Sequence, residues 1–225
     1  MHFKISNLLE IRDLLTYETF LEPKTKIAEA IDLFNKIPHN YLPIVSKHKL
    51  MGSIALADIE VLEKESILED YEYLYRRVSV TADATWIDIL QAITQNEIDI
   101  IPILDTTGNF IGYLGQSEFL QALQRTPFIG ESGTSIIIET SMQNYSSSEI
   151  SQIVESNNGK VLGLFISDMT DYLVECTVKI SGHQINDSIQ SFRRYGYNIK
   201  SELLEDEHLE NLKERSKYLQ KYLNI

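Results

Sequence analysis

Few residues in this chain are placed to do chemistry, and the two best placed are carboxylates. Asp58 closes the run Gly52-Ser53-Ile54-Ala55-Leu56-Ala57-Asp58, and Glu118 closes Gly112-Tyr113-Leu114-Gly115-Gln116-Ser117-Glu118. In both, an apolar strand pattern passes into a helical one, so each acid falls at a helix start. A carboxylate there has two uses. It can sit against the positive end of the helix dipole, worth ~0.3–1 kcal/mol, or it can accept charge-assisted hydrogen bonds from hydroxyls. His2, His39, His48, His183 and His208 are scattered and have no metal-ligand spacing. Cys176 is the single cysteine, which excludes an internal disulfide and a multi-cysteine metal site. Lying in a strand pattern, it reads as an inert core thiol. Asp168 and Asp171 fall in a turn, where acids bond locally. With no Gly-rich phosphate loop and no nucleophile elbow, the expectation is a non-catalytic protein with no metal and no resident cofactor.

What positions the two carboxylates is an internal repeat. Ile27, Ala30, Ile31 and Phe34 fall on one helical face, followed by a strand at Tyr41-Leu42-Pro43-Ile44-Val45. The polar turn Ser46–Lys49 leads to a second strand, Leu50–Ala55, and then to the helix that Asp58 opens, with Ile59 and Leu62 apolar. The same order returns, with Pro102 59 residues after Pro43 and Gly112 60 residues after Gly52. Trp86, Ile89, Leu90 and Ile93 repeat the helical face, Ile100–Leu104 the proline-bearing strand, and Asp105–Asn109 the turn. Phe110–Gly115 is the next strand, and Glu118 opens a helix with Phe119 and Leu123 apolar. Leading strands are expected at Thr19-Phe20-Leu21 and Val78-Ser79-Val80. A unit of about 55 residues buries too little surface to stand alone. Two copies packed sheet to sheet solve that problem and leave a cleft with approximate two-fold symmetry.

The order apolar helix, L-P-I-V, turn, G-x-I-x-x-x-D resembles a CBS-domain pair, or Bateman module, over residues 1–127, and Ile11–Thr16 is similar to the usual opening of that family. The resemblance implies a regulatory protein that holds an adenosine-containing ligand, AMP, ADP or ATP in type, in the cleft. It further implies an apolar adenine slot walled by Leu42, Ile44, Ile101 and Ile103. Backbone groups before Pro43 and Pro102 would read the base, and Gly52 and Gly112 would allow close approach. Asp58 occupies the family's ribose-binding position, and Glu118 is its counterpart. Phosphates would take helix N-termini and nearby hydroxyl or basic groups, with Thr16, Lys24, Lys26, Arg76 and Arg77 as candidates. Two departures stand out. The family often carries Ser or Thr three residues before the acid, where this chain has Ala55 and Gly115, and Glu118 is one methylene longer than Asp.

Beyond a linker at 128–134, which follows Pro127 and holds Gly130 and Gly133, the pattern changes. Ser135–Glu139 reads as a strand, and Ser146-x-x-Glu149 as a capping box opening a helix with Ile150, Ile153 and Val154 inward. Lys160–Ile166 is a strand and Ser167–Asp171 a hairpin turn. Tyr172, Val174, Cys176, Val178 and Ile180 alternate as a half-buried strand. Ile185, Ile189 and Phe192 mark a helix, and Tyr197–Ser201 a last strand. The order βαββαβ is the ferredoxin-like plan and resembles an ACT-like domain. That resemblance implies side-by-side dimers, and amino-acid binding at Ser141–Tyr145, a turn without glycine. A CBS pair followed by an ACT-like domain looks like bacterial acetoin-utilisation-type regulators.

The expected organisation is therefore α/β (α+β): a first CBS repeat at 1–68, a second at 69–127, the linker, an ACT-like domain at 135–204 and a C-terminal helix at 205–225. That helix carries Leu209, Leu212, Ser216, Leu219 and Leu223 at heptad-like spacing. The net charge of −13 repels phosphate backbones and anionic lipid, so nucleic acid and membrane surfaces are poor partners. No stretch approaches the ~20 apolar residues of a membrane span, and the start reads as no secretory signal. The expectation is a cytoplasmic homodimer acting on a regulated protein. The alternatives are a ligand-free interaction module and an amino-acid sensor working through the ACT-like part.

Overall fold

The computed structural model describes residues 14–182 and 185–200. Two compact units divide the chain, Met1–Arg125 and Thr126–Ile225. The family-like opening at Ile11–Asp13 and the expected C-terminal helix at 205–225 lie outside the described residues.

In the first unit, α1 (Ile27–Phe34) buries Ile27, Ala30 and Phe34 on one face. β1 (Tyr41–Ser46) and β2 (Lys49–Ala55) form an antiparallel hairpin. Lys47 and His48 turn it at φ 48° and 66°, the left-handed two-residue turn whose twist matches that of its strands. α2 (Leu56–Ile59) follows, then a 3-10 segment, Leu68–Leu74. The second copy is β3 (Val80–Thr81), α3 (Trp86–Asn96), β4 (Ile100–Leu104), β5 (Phe110–Gly115) and α4 (Gln116–Gln124). Thr85 caps α3, its Oγ1 accepting from Asp88 N at 3.3 Å while Asp88 Oδ2 accepts from Thr85 N at 2.7 Å. The expected face of α3 is only half right. Ile89 and Ile93 are buried, but Trp86 and Leu90 are 37% and 36% exposed, because the core is completed by Ile98 and Leu15 instead.

The turn of the second copy is built on Asp105. Its carboxylate accepts from Asn109 N and Thr107 N at 2.8 Å each and from Thr107 Oγ1 at 2.7 Å. These bonds, the one from Asn109 N foremost, hold its pKa down at about 2.

The leading strands are shorter than expected, and the prolines explain it. Leu21 N donates to Pro43 O at 2.9 Å, and Val45 N donates to Leu21 O at 2.8 Å. To extend this parallel pairing to Thr19, residue 43 would have to donate an N–H, and proline has none. Pairing therefore stops at a single bridge, Leu21–Ile44. In the second copy Val80 pairs with Ile103, and Pro102 ends the ladder in the same way.

Each copy lends its lead-in to the other. Thr16 N donates to Tyr113 O at 2.9 Å and Tyr113 N to Thr16 O at 3.1 Å. The counterpart exchange is Arg76 N to Ser53 O and Ser53 N to Arg76 O, both 2.8 Å. Gly52 and Gly112 sit beside these crossings at φ +152° and +133°. A Cβ on Gly52 would lie 2.9 Å from Tyr75 Cβ, and one on Gly112 3.0 Å from Thr16 O. Gly112→Ala is therefore expected to destabilise the unit by ~1–3 kcal/mol, the cost of backbone strain at such a site. Urea denaturation checks this, and an unchanged midpoint would remove the crossing as the reason for the glycine.

The second unit holds a four-stranded antiparallel sheet of β6 (Thr134–Ser141), β7 (Lys160–Met169), β8 (Leu173–Ser181) and β9 (Asn198–Ile199). The strand order is β7-β8-β6-β9. With α6 (Ser147–Ser156) and α7 (Ile185–Arg194) it is the ferredoxin-like βαββαβ fold. Ile136, Ile138, Val174, Cys176, Val178 and Ile180 face a common core with Ile150, Ile153, Val154 and Phe192.

Local readings differ at four places. β7 runs on to Met169, because the hairpin closes late, with Thr170 N donating to Leu173 O at 2.9 Å. Tyr172 therefore lies in the turn, 81% exposed. Half of the capping box forms: Ser146 Oγ accepts from Glu149 N at 3.2 Å, while Glu149 Oε2 accepts from the Tyr197 hydroxyl at 2.8 Å. Overlapping the start of the linker range, Pro127–Gly130 makes a helical turn, α5. Its Phe128 packs on Gly163, where no side chain would fit, and edge-on to Phe165 at 5.6 Å.

Candidate functional site

Two equivalent poles arise where β2 runs into α2 and β5 into α4. Leu56 N donates to Asn40 O at 2.9 Å and Gln116 N to Asp99 O at 2.8 Å, so each helix start is tied to the residue leading into β1 or β4. The poles are joined through Asn40 N, which donates to Asp99 Oδ2 at 2.6 Å. The repeat thus brings Asp58 and Glu118 to matching positions, each the third residue of its helix.

At the first pole Asp58 is half-buried, beside the Ala55–Tyr41 strand pair. The Arg76 guanidinium lies 5.1 Å from the centre of the Tyr41 ring, a cation–π stack, and donates to Asn96 O at 3.2 Å. Burial raises the pKa of the Tyr41 hydroxyl. Arg76 opposes that rise, and Asp58, Asp99 and Glu97 add to it, so acids outnumber bases here. Ser53, opposite Pro43 in the ladder, is 4% exposed, and its Oγ is buried with no hydrogen-bond partner among the described residues.

The second pole is built differently from the same backbone. Tyr113 replaces Ser53 and is 1% exposed. Its ring meets His39 edge-on at 5.6 Å. Burial raises its hydroxyl pKa, while a side-chain hydrogen bond with Thr16 opposes that. The Glu118 carboxylate folds back onto Gly115: a Cβ on Gly115 would collide with Glu118 Oε2 and lie 2.8 Å from His39 Cε1. Glu118 Oε2 is buried without a hydrogen-bond partner among the described residues. The missing side chain at Gly115 and the longer acid at Glu118 are thus one feature, the second filling the space the first leaves.

The expected adenine slot is not formed by the strand side chains named for it. Leu42 and Ile44 are 0% exposed in the core of the first copy, and Ile101 and Ile103 no more than 1% exposed in that of the second. Each strand is covered on both faces, so alternation turns these residues inward against their own helices. Nor do the backbone groups of Leu42 and Ile101 stand open, since they face Ile54 and Leu114 in the ladders. Strand parity instead turns the carbonyls of Tyr41 and Ile100 toward the side where the lead-in has stopped. Pro43, Pro102 and Gly112 are buried structural residues. Of the phosphate candidates, Lys26 pairs with Glu65 at 2.8 Å on the surface, and Arg76 alone reaches the first pole.

A cavity of about 1000 Å³ opens elsewhere, near the hairpin tips, between Tyr17, Phe20, Val45, His48, Met51 and Phe110. Its counterpart, about 400 Å³, is lined by Gly52, Arg77, Ser79 and Leu104. Neither Asp58 nor Glu118 lines either of them. Sequence reasoning passed over Tyr41, His39, Asn40 and Asp99. The available signal was their place two to four residues before each proline, where the lead-in cannot pair. Among the described residues no group of three or more His, Cys, Asp or Glu could hold a metal ion. No described helix is long and apolar enough to cross a membrane. In the second unit the candidate amino-acid turn is already bonded, Met142 N donating to Tyr172 O at 2.9 Å and Asn144 N to Ser141 O at 3.0 Å.

Comparison with known proteins gives the same division. The family model for the CBS domain matches residues 11–60 and 72–125. No curated protein sequence matches the chain significantly. Among solved structures, a CBS domain pair/ACT domain protein from Thermotoga maritima is similar at 14% identity and a TM-score of 0.46, over 51% of this chain and 96% of that one. The CBS domains of a transcriptional regulator from Streptococcus pneumoniae are similar at 12% identity and a TM-score of 0.45, over 50% and 98%. A CBS domain protein from the same organism gives 22%, 0.42, 51% and 86%. Two copies of one fold, exchanging lead-ins across a shared seam and each matched by that family model, make the first unit a tandem pair of CBS domains.

Proposed function

We propose that this chain is a non-catalytic, cytoplasmic regulator that senses an adenine nucleotide of the AMP, ADP or ATP type through its CBS pair. The observation that carries the reading is the first pole. A half-exposed carboxylate, Asp58, stands at a helix start beside the Tyr41–Arg76 stack. A ribose offers the two hydroxyls that such a carboxylate accepts, and those bonds are of the stronger, charge-assisted class. A flat base can lie against a tyrosine face, and Arg76 supplies the positive charge. Regulation requires that the ligand favour one arrangement of the two copies, and the exchanged lead-ins supply a seam on which it can act. In this reading the ferredoxin-like unit is an ACT-like dimerisation element and the regulated partner is another protein.

Thermal shift or calorimetry with AMP, ADP, ATP, NADH and S-adenosylmethionine tests the reading. A ligand should stabilise the native chain and leave Asp58→Ala unaffected. Silence across the panel at millimolar concentration would favour a ligand-free interaction module instead. The filled second pole is the observation on that side.

A further inference from the structure

We infer that the pair binds one nucleotide per chain rather than two, at the Asp58 pole, because at the other pole one oxygen of Glu118 is turned inward onto Gly115 and Tyr113 and His39 pack beside it. This rests on the nucleotide-sensing reading and sharpens it. The two poles share a backbone, so they differ only in what fills them. At position 53 the first pole has a serine, 4% exposed, and at the equivalent position 113 the second has the much larger tyrosine, 1% exposed. The phenol ring adds bulk on the strand face where the first pole has only a hydroxymethyl group, and the position of the Tyr41 ring is taken by Ile100, which is 0% exposed. His39 closes on that ring edge-on at 5.6 Å.

The acid itself is also spent. To hold a ribose, Glu118 would have to present both oxygens to the ligand, yet Oε2 is buried against Gly115 and beside His39. Releasing it would expose a hole under Gly115, which has no side chain to fill it. Asp58 is a methylene shorter and follows Ala55, whose Cβ occupies the equivalent space, so it cannot fold back in this way. The lead-in differs in the same sense. Arg76 brings a cation to the first pole, whereas its counterpart Thr16 spends its side chain on the Tyr113 hydroxyl. What is left of the two-fold symmetry is a binding half and a supporting half.

Equilibrium dialysis of the full chain against AMP and against ATP, each at saturation, counts the sites. The expected count is one per chain, falling to none in Asp58→Ala. Two per chain, or one that persists in Asp58→Ala, would overturn the inference while leaving nucleotide sensing intact. No retained nucleotide of either kind would overturn the sensing reading and this inference with it. If Asp58→Ala does not fold, judged by circular dichroism, the wild-type count still decides between one site and two.

Discussion

Phe119→Ala should lower the stability of the CBS pair by ~3–5 kcal/mol, the range for truncating a fully buried aromatic. Phe119 follows the carboxylate of the second pole in α4 and is 1% exposed. It packs with Ile89, Ile93, Ile101, Ile103 and Leu114 in the core of the second copy. These come from a helix and two strands that cannot all move inward, so the hole left by the ring stays largely open, and the cavity cost adds to the lost burial. The residue also fixes the direction in which α4 leaves β5, and hence where Glu118 points. Urea denaturation should show a lower midpoint with an unchanged slope. A loss below ~1 kcal/mol would mean that the core collapses around the gap and does not hold α4 rigidly.

The fold was legible where periodicity and burial agree. Ile27, Ala30 and Phe34 are apolar at helical spacing and buried, and the alternation from Val174 to Ile180 is the buried face of β8. It was less legible where an element's limits depend on partners distant in sequence. Thr19 and Phe20 look like strand, but Pro43 withholds the donor they would need. Trp86 and Leu90 continue an apolar stripe, yet both are partly exposed, and the core of the second copy includes Leu15 from the lead-in of the other copy. Tyr172 keeps the alternation of β8 one step too far, because the hairpin closes before it.

Of the candidate site, the sequence made legible where its two acids stand in the fold. Asp58 and Glu118 are where the repeat places them, at matching helix starts. The walls were misjudged because L-P-I-V is apolar throughout, and a strand covered on both faces gives no alternation to show which side chains face the helix. The asymmetry between the poles was visible as two separate oddities, glycine for a hydroxyl residue and Glu for Asp. Only the geometry shows that one compensates for the other. Ser53 and Tyr113 hold equivalent places in the repeat; both acids are half-buried, and what differs is that one oxygen of Glu118 is turned inward against Gly115.

Cys176→Asp should destabilise the ferredoxin-like unit by ~3–5 kcal/mol at neutral pH, the cost of a buried charge left unpaired. Cys and Asp are close in volume, so packing changes little and the charge dominates. Cys176 is 1% exposed in β8, between Ile138 of β6 and Ile166 of β7. Its thiol already shows what the site does to an anion: burial raises its pKa, and Glu175 adds to the rise. The nearby Tyr197 hydroxyl is no help, since it donates to Glu149. An aspartate here would have its folded-state pKa pushed above the unfolded value of about 3.9. The folded state then binds more protons than the unfolded state, so stability falls as pH rises through that window. The loss relative to wild type should be complete above the raised pKa, shrink as the pH is lowered, and nearly vanish below about 4. Urea titrations at several pH values, with Cys176→Ser as a neutral control, would show this. A penalty that does not change with pH would mean that misfit, and not charge, is what the core of β8 resists.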